Sequence, residues 1–191
     1  MKIVTFVGIR KSGKTSSVEA LIGELKKRGY TVGSVKYIGC PAFSMDKPNS
    51  NTARHIKAGA DVTVARGLTE TDFIYPKKMD ANDIFTKLDC DILILEGDTG
   101  SKVPRVVCAH EKKDALERIN EETFLISGRL ADKEKEVNGI RAVSALSDIT
   151  YFADEVLRNV KDEEFPIGQY EREPSYTGVC PLNCRKKCDY R

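Results

Sequence analysis

The sequence predicts an α/β fold, a mostly parallel sheet covered by helices on both faces. Strand-like and helix-like segments alternate along most of the 191 residues, the pattern of strands joined by helical crossovers. The first strand candidate, Lys2 to Val7, is a run of Ile, Val and Phe without polar alternation, as a parallel strand buried on both faces requires. The segment after it places Val18, Leu21, Ile22 and Leu25 at helical spacing. The length suits one α/β domain with a short appendage. We therefore expect one domain over residues 1–160 and a tail over 161–191.

Taken in order, Lys2 to Val7 feeds a loop and a helix from about Thr15 to Arg28, with Lys26, Lys27 and Arg28 in its last turn and Gly29 behind them. Thr31 to Tyr37 reads as a second strand. The polar stretch from Gly39 to Ser50 reads as a loop, and Asn51 to Ala58 as a short helix stopped by Gly59. Val62 to Ala65 and Phe73 to Tyr75 are weaker strand candidates. Asp80 caps a helix reaching Leu88, and Asp91 to Leu95 is the most apolar strand. Beyond it we expect a strand over 103–108, a helix over 112–119, strands over 123–127 and 139–145, and a closing helix over 147–160. From 161 onward Pro166, Pro174, Pro181, Gly168 and Gly178 break the pattern.

Lys and Arg number 31 against 29 Asp and Glu, for a net charge of +2. The two signs are interspersed, which argues against a nucleic-acid binder or a disordered tail protein. The longest apolar stretches, such as Ile92 to Leu95, fall far short of the ~20 residues that span a bilayer. Arg10 and Lys11 end the first apolar run too early for an export signal, so a soluble cytoplasmic protein with no membrane partner is expected. Its six cysteines should then be reduced. Cys90 and Cys108 lie in or beside apolar runs and read as core residues.

Gly8-Ile9-Arg10-Lys11-Ser12-Gly13-Lys14-Thr15 matches G-x-x-x-x-G-K-[ST] in full, between a buried strand and a helix. In such a P-loop successive backbone N–H groups turn inward and the helix N-terminus adds its positive end, which together cradle phosphate. Gly8, Ser12, Gly13, Lys14, Thr15 and Ser16 form the expected phosphate-binding set, making the chain a P-loop NTPase in fold. Lys14 supplies positive charge to the β/γ-phosphates and the Thr15 hydroxyl is a Mg²⁺ ligand. Arg10 and Lys11 either add phosphate charge or are solvated. Glu96, at the end of the apolar strand Asp91 to Leu95, is the candidate acidic group that holds Mg²⁺ through water or polarises an attacking water, with Lys14 and Glu96 as the catalytic pair.

Thr86-Lys87-Leu88-Asp89 has the letters of a guanine-recognition motif but precedes the acidic strand, and is discounted. Ser127-Gly128-Arg129-Leu130-Ala131-Asp132 follows a late strand, where Asp132 could accept from guanine N1 and N2. Ser144-Ala145-Leu146 echoes a serine-alanine turn against the base. Together they favour GTP over ATP.

These residues carry a resemblance. The P-loop, Gly33-Ser34-Val35-Lys36, the run Asp46-Lys47-Pro48 through Arg54-His55 to Ala58-Gly59-Ala60, and Leu95-Glu96-Gly97 resemble the MobB family of molybdopterin-guanine dinucleotide biosynthesis proteins over roughly residues 1–150. The resemblance implies a GTP-binding, weakly hydrolysing homodimer that assists attachment of GMP to molybdopterin, with the guanylyltransferase that uses it as partner. It implies that Lys36, Asp46, Arg54 and His55 fall in the nucleotide and cofactor cleft, and that Asp46 joins Thr15 and Glu96 in the Mg²⁺ set. From the residues alone, Asp46 and Arg54 sit just past the carboxyl end of the second strand, on the edge where doubly wound folds bind ligands, with a helix cap and a solvated face as the alternative, and His55 reads equally as a packed helix residue or a ligand. Tyr37-Ile38-Gly39-Cys40 departs from the His-rich stretch usual in that family.

The Cys tail also departs from the family. Cys180, Cys184 and Cys188 form C-x3-C-x3-C. On one straight helix the outer two would lie about 12 Å apart, too far for thiolates that share a metal within about 4 Å of one another. A looped tail could offer three thiolates to Zn²⁺ or an iron–sulfur cluster, with Arg185, Lys186 and Lys187 lowering their pKa, or be redox-active. Two other functions stay open: a nucleotide-switched metal or cluster carrier, and a small-molecule kinase closing Arg105 and Arg129 over the γ-phosphate.

Overall fold

The computed structural model describes residues 1–40 and 43–163. They divide into two compact units, one of residues 1–38 with 86–163 and one spanning residues 39–85.

The first unit is built on the apolar strands. β1 (Lys2–Val7), β2 (Val32–Lys36), β5 (Ile92–Glu96), β6 (Arg105–Cys108) and β7 (Thr123–Ser127) form one sheet in the order β2-β5-β1-β6-β7, and every neighbouring pair is parallel. This order sets the acidic strand directly beside the P-loop strand. Phe6 pairs with Glu96 on one side and Lys36 pairs with Glu96 on the other.

The period-2 alternation of these strands splits the core in two. Val4, Phe6, Ile92, Ile94, Val106, Cys108 and Leu125 face α1 (Lys14–Lys27) and α5 (Ile149–Asn159), meeting Val18, Leu21, Leu25, Phe152, Ala153 and Val156. Val7, Val107 and Ile126 face the other way, onto Ala115 of α4 (Lys112–Leu116) and onto Leu130 and Ala131 of a 3₁₀ turn (Gly128–Asp132). The expected two-faced covering is therefore present. Asp148 accepts from the Tyr151 N–H to start α5, the N-cap role of a short acidic side chain. After α5, Asp162 bridges to Lys2 and pairs with the N-terminal ammonium, which pins residues 161–163 to the start of β1.

The expected strand over 139–145 is a correction. Asn138 and Gly139 both adopt positive φ (53° and 77°), which closes a two-residue hairpin between β8 (Glu136–Val137) and β9 (Ile140–Arg141). Only Ala142 continues onto the main sheet, through a single parallel bridge to Ile126. The helices expected over 80–88 and 112–119 are shorter, α3 (Ala81–Phe85) and α4 (Lys112–Leu116).

In the second unit α2 (Asn51–Lys57) precedes an antiparallel pair, β3 (Thr63–Arg66) and β4 (Thr71–Ile74). No helix of the described residues is long and apolar enough to cross a membrane.

Candidate functional site

The P-loop runs from the carboxyl end of β1 into α1. At Gly8 the chain passes so close to β6 that an added Cβ would lie 2.0 Å from the Cys108 carbonyl oxygen, so only glycine fits. Gly13, at φ 97°, is the N-cap of α1. The Lys14 ammonium donates to the Gly8 carbonyl at 2.7 Å and to Ile9 at 2.9 Å, which holds it at the mouth of the loop. Burial lowers its pKa from the usual lysine value, against the opposing pull of the Glu96 carboxylate.

Beside it, the Thr15 hydroxyl donates to Glu96 Oε1 at 2.9 Å, and the Lys36 ammonium lies 3.3 Å from the same oxygen. The sheet order explains this meeting, since Glu96 ends a strand flanked by β1 and β2. A hydroxyl and a carboxylate are the hard oxygen donors that Mg²⁺ takes, commonly with only one or two carboxylates and the rest from phosphate and water. Thr15 and Glu96 fit that requirement. Among the described residues no three His, Cys, Asp or Glu gather into a metal group.

A cavity of about 330 Å³ opens along the loop, within the usual range for small-molecule sites. It is lined by Lys11 with Gly13 to Ser17, by Gly128, Arg129 and Asp132, and by Ser144 to Leu146. Local hydrogen bonding assembles these walls. The Arg129 N–H donates to the Ser12 carbonyl at 3.1 Å, the Leu130 N–H to Ala109 at 2.9 Å, and the Val143 N–H to Ile126 at 2.9 Å. Two segments far apart in sequence, quoted above for base recognition, thus line the same cavity as the P-loop.

The other expected residues have the following surroundings. Ser12 is buried, its hydroxyl has no partner among the described residues, and its carbonyl accepts from the Arg129 N–H. Arg10 is exposed. Asp46, Arg54 and His55 belong to the second unit. There Asp46 Oδ1 accepts from the Ser50 hydroxyl at 2.6 Å, and Ser50 caps α2 by accepting from the Ala53 N–H at 3.0 Å. Hydrogen bonds from Ser50 and Thr52 hold the Asp46 carboxyl below its usual pKa, while Arg54 and His55 are exposed on α2. The cap reading of Asp46 thus has a direct geometric basis.

Arg105 does not reach for phosphate: its guanidinium is buried and donates to the Thr99 carbonyl at 3.1 Å, tying down the loop after Glu96. Cys108 is a core residue as expected, its thiol pushed up to about 12 by burial. Cys180, Cys184 and Cys188 lie outside the described residues. Ser17 was missed as a wall residue; its position one helical turn after Lys14 was the available signal.

The model for the family "Molybdopterin guanine dinucleotide synthesis protein B" matches residues 3–127. The chain belongs to the MobB family. A Bacillus subtilis (strain 168) protein described as a probable molybdopterin-guanine dinucleotide biosynthesis adapter protein is 30% identical over 124 residues, 62% of this chain and 72% of that one. A Methanocaldococcus jannaschii protein described as a "Putative molybdopterin-guanine dinucleotide biosynthesis adapter protein" is 25% identical over 194 aligned positions, covering 97% of this chain and 70% of the relative. The crystal structure of Bacillus subtilis MobB superposes with a TM-score of 0.70 at 26% identity, covering 85% of this chain and all of that one. The resemblance read from the P-loop, the Asp46 to Ala60 run and Leu95-Glu96-Gly97 therefore stands, and with it the α/β P-loop NTPase fold.

Proposed function

We propose that the chain is a GTP-binding, slowly hydrolysing adapter that assists maturation of the molybdenum or tungsten cofactor to its guanine dinucleotide form, working as a homodimer with molybdopterin and the guanylyltransferase as partners. One observation carries the nucleotide reading: a phosphate loop and a carboxylate-bearing segment line one cavity of suitable size. The backbone N–H groups of a phosphate loop and the α1 N-terminus receive the phosphates. Lys14 moves its ammonium from the Gly8 and Ile9 carbonyls onto the β/γ-phosphates. Thr15 and Glu96 would hold Mg²⁺, which when bound neutralises developing phosphate charge. Lys36 holds the Glu96 carboxylate in place, and Glu96 orients the attacking water.

Asp132, which lines the same cavity, accepts from guanine N1–H and N2–H. Adenine presents an acceptor at N1 and meets the carboxylate with repulsion. A two-point base contact is worth about 1–3 kcal/mol of discrimination. Calorimetry on the full chain should therefore show GTP binding at least about fivefold more tightly than ATP, and Asp132→Ala should bring the two together. Equal affinities in the wild type would sink the guanine reading.

A further inference from the structure

Gly128 makes the tightest backbone approach in the cavity walls. A Cβ added there would lie 2.1 Å from the Ser12 carbonyl oxygen and 3.1 Å from that of Ala109. On the opposite side of the same contact, a Cβ on Gly13 would come 3.0 Å from the Gly128 Cα. Two glycines thus meet back to back, one in the P-loop and one at the start of the 3₁₀ turn. The Arg129 N–H to Ser12 carbonyl bond forms at this point, and both Gly13 and Gly128 line the cavity. Close approach of two backbones is a recognised reason for glycine.

We propose that Gly128 is a positioning residue that locks the phosphate loop to the Gly128–Asp132 segment, so that the two ends of the ligand meet one preformed wall. The inference rests on the nucleotide reading of this cavity and adds a specific device to it. The lock explains how a carboxylate on a short exposed turn is held at a fixed offset from the phosphates. Displacing the Ser12 carbonyl moves the chain immediately before Gly13 and Lys14, so the lock also shapes the phosphate cradle.

The chain contains a matched control. Gly139 has φ 77° against 78° for Gly128, yet nothing lies within 4 Å of a Cβ added there. Alanine at either position meets the same left-handed backbone penalty, and only Gly128→Ala also meets the clash.

The test compares Gly128→Ala with Gly139→Ala in the full chain, measuring affinity for GTP and for inorganic tripolyphosphate by calorimetry, and amide exchange without nucleotide. Gly128→Ala should weaken GTP and tripolyphosphate binding at least tenfold and speed exchange of the Arg129 amide and of residues 12–18. Gly139→Ala should leave all three within about twofold, with any loss confined to thermal stability. An Arg129 amide equally protected in both variants, or equal GTP affinities in both, would overturn the lock. If Gly128→Ala does not fold, wild-type amide exchange with and without tripolyphosphate is the second measurement: the Arg129 amide, which donates to the Ser12 carbonyl, must already be protected before ligand is added, and an Arg129 amide that exchanges freely until ligand binds overturns the proposal. Wild-type protein that binds neither GTP nor ATP would sink the nucleotide reading, while the exchange comparison would still decide the lock.

Discussion

Lys14 links burial to ligand chemistry. Its pKa lies below the ordinary lysine value of 10.5, with burial the largest cause. A triphosphate favours the charged ammonium, so binding pulls a proton onto any Lys14 that has lost one. The sign follows directly: affinity is full below the lowered pKa and falls as pH rises through it, with net proton uptake on binding in that alkaline window. Lys14→Arg keeps charge throughout and should flatten this dependence, while Lys14→Ala should abolish nucleotide binding in a protein with an unchanged circular-dichroism spectrum. Titrations of GTP in buffers of different ionisation enthalpy, comparing wild type with Lys14→Arg, check both. Proton release in the wild type, or identical pH profiles for the two, would contradict the assignment. Cys108 shows the same burial acting without function: the thiol, 0% exposed and pushed up to about 12, is a small core group beneath Ser17.

Among the elements, those with long apolar signals were legible and those made by a turn were not. β1, α1, β5 and β7 lie within a residue or two of their expected bounds because buried parallel strands and amphipathic helices are written over many residues. The strand expected over 139–145 failed because Asn138-Gly139, a two-residue hairpin signal, was outweighed by the apolar run after it. The site followed the same rule. The placement of Gly8 to Thr15 between β1 and α1, of Glu96 at the end of β5 and of Asp132 after β7 was readable because motif and strand-end positions are local. The approach of Gly13 to Gly128 depends on a chain path that spacing does not encode. α5 offers a direct stability test. Phe152 is fully buried, its ring 6.2 Å from that of Phe6 across the α1/α5 face of the sheet. Phe152→Ala should cost about 3–5 kcal/mol through lost burial and the cavity left behind. Urea unfolding followed by far-ultraviolet circular dichroism is the suitable measurement, since the chain has no Trp. A cost below about 1 kcal/mol would show that this face is not the packed core described.

At the scale of the whole molecule, the nucleotide site and the cysteine tail are separable by experiment. Every residue assigned to the cavity precedes Glu163, and Asp162 still ties the end of the described chain to Met1 and Lys2. A chain cut after Glu163 therefore retains these ties and should bind GTP as the full chain does. We propose that Cys180, Cys184 and Cys188 jointly hold Zn²⁺ or an iron–sulfur cluster, their thiolates favoured by Arg185, Lys186 and Lys187. Ligands that share one centre fail together, because losing any one leaves it mis-coordinated. Protein purified without oxygen should thus carry zinc or iron that falls sharply on Ser substitution at any of the three, and that disappears on truncation after Glu163. Cys90→Ser should leave the metal in place, because the Cys90 thiol is half-buried beside Gly33 and Met1 and titrates above its usual value through burial. Metal at background level in the full chain, or metal lost as completely in Cys90→Ser as in Cys184→Ser, would remove the tail site and leave the three cysteines needing a different chemistry.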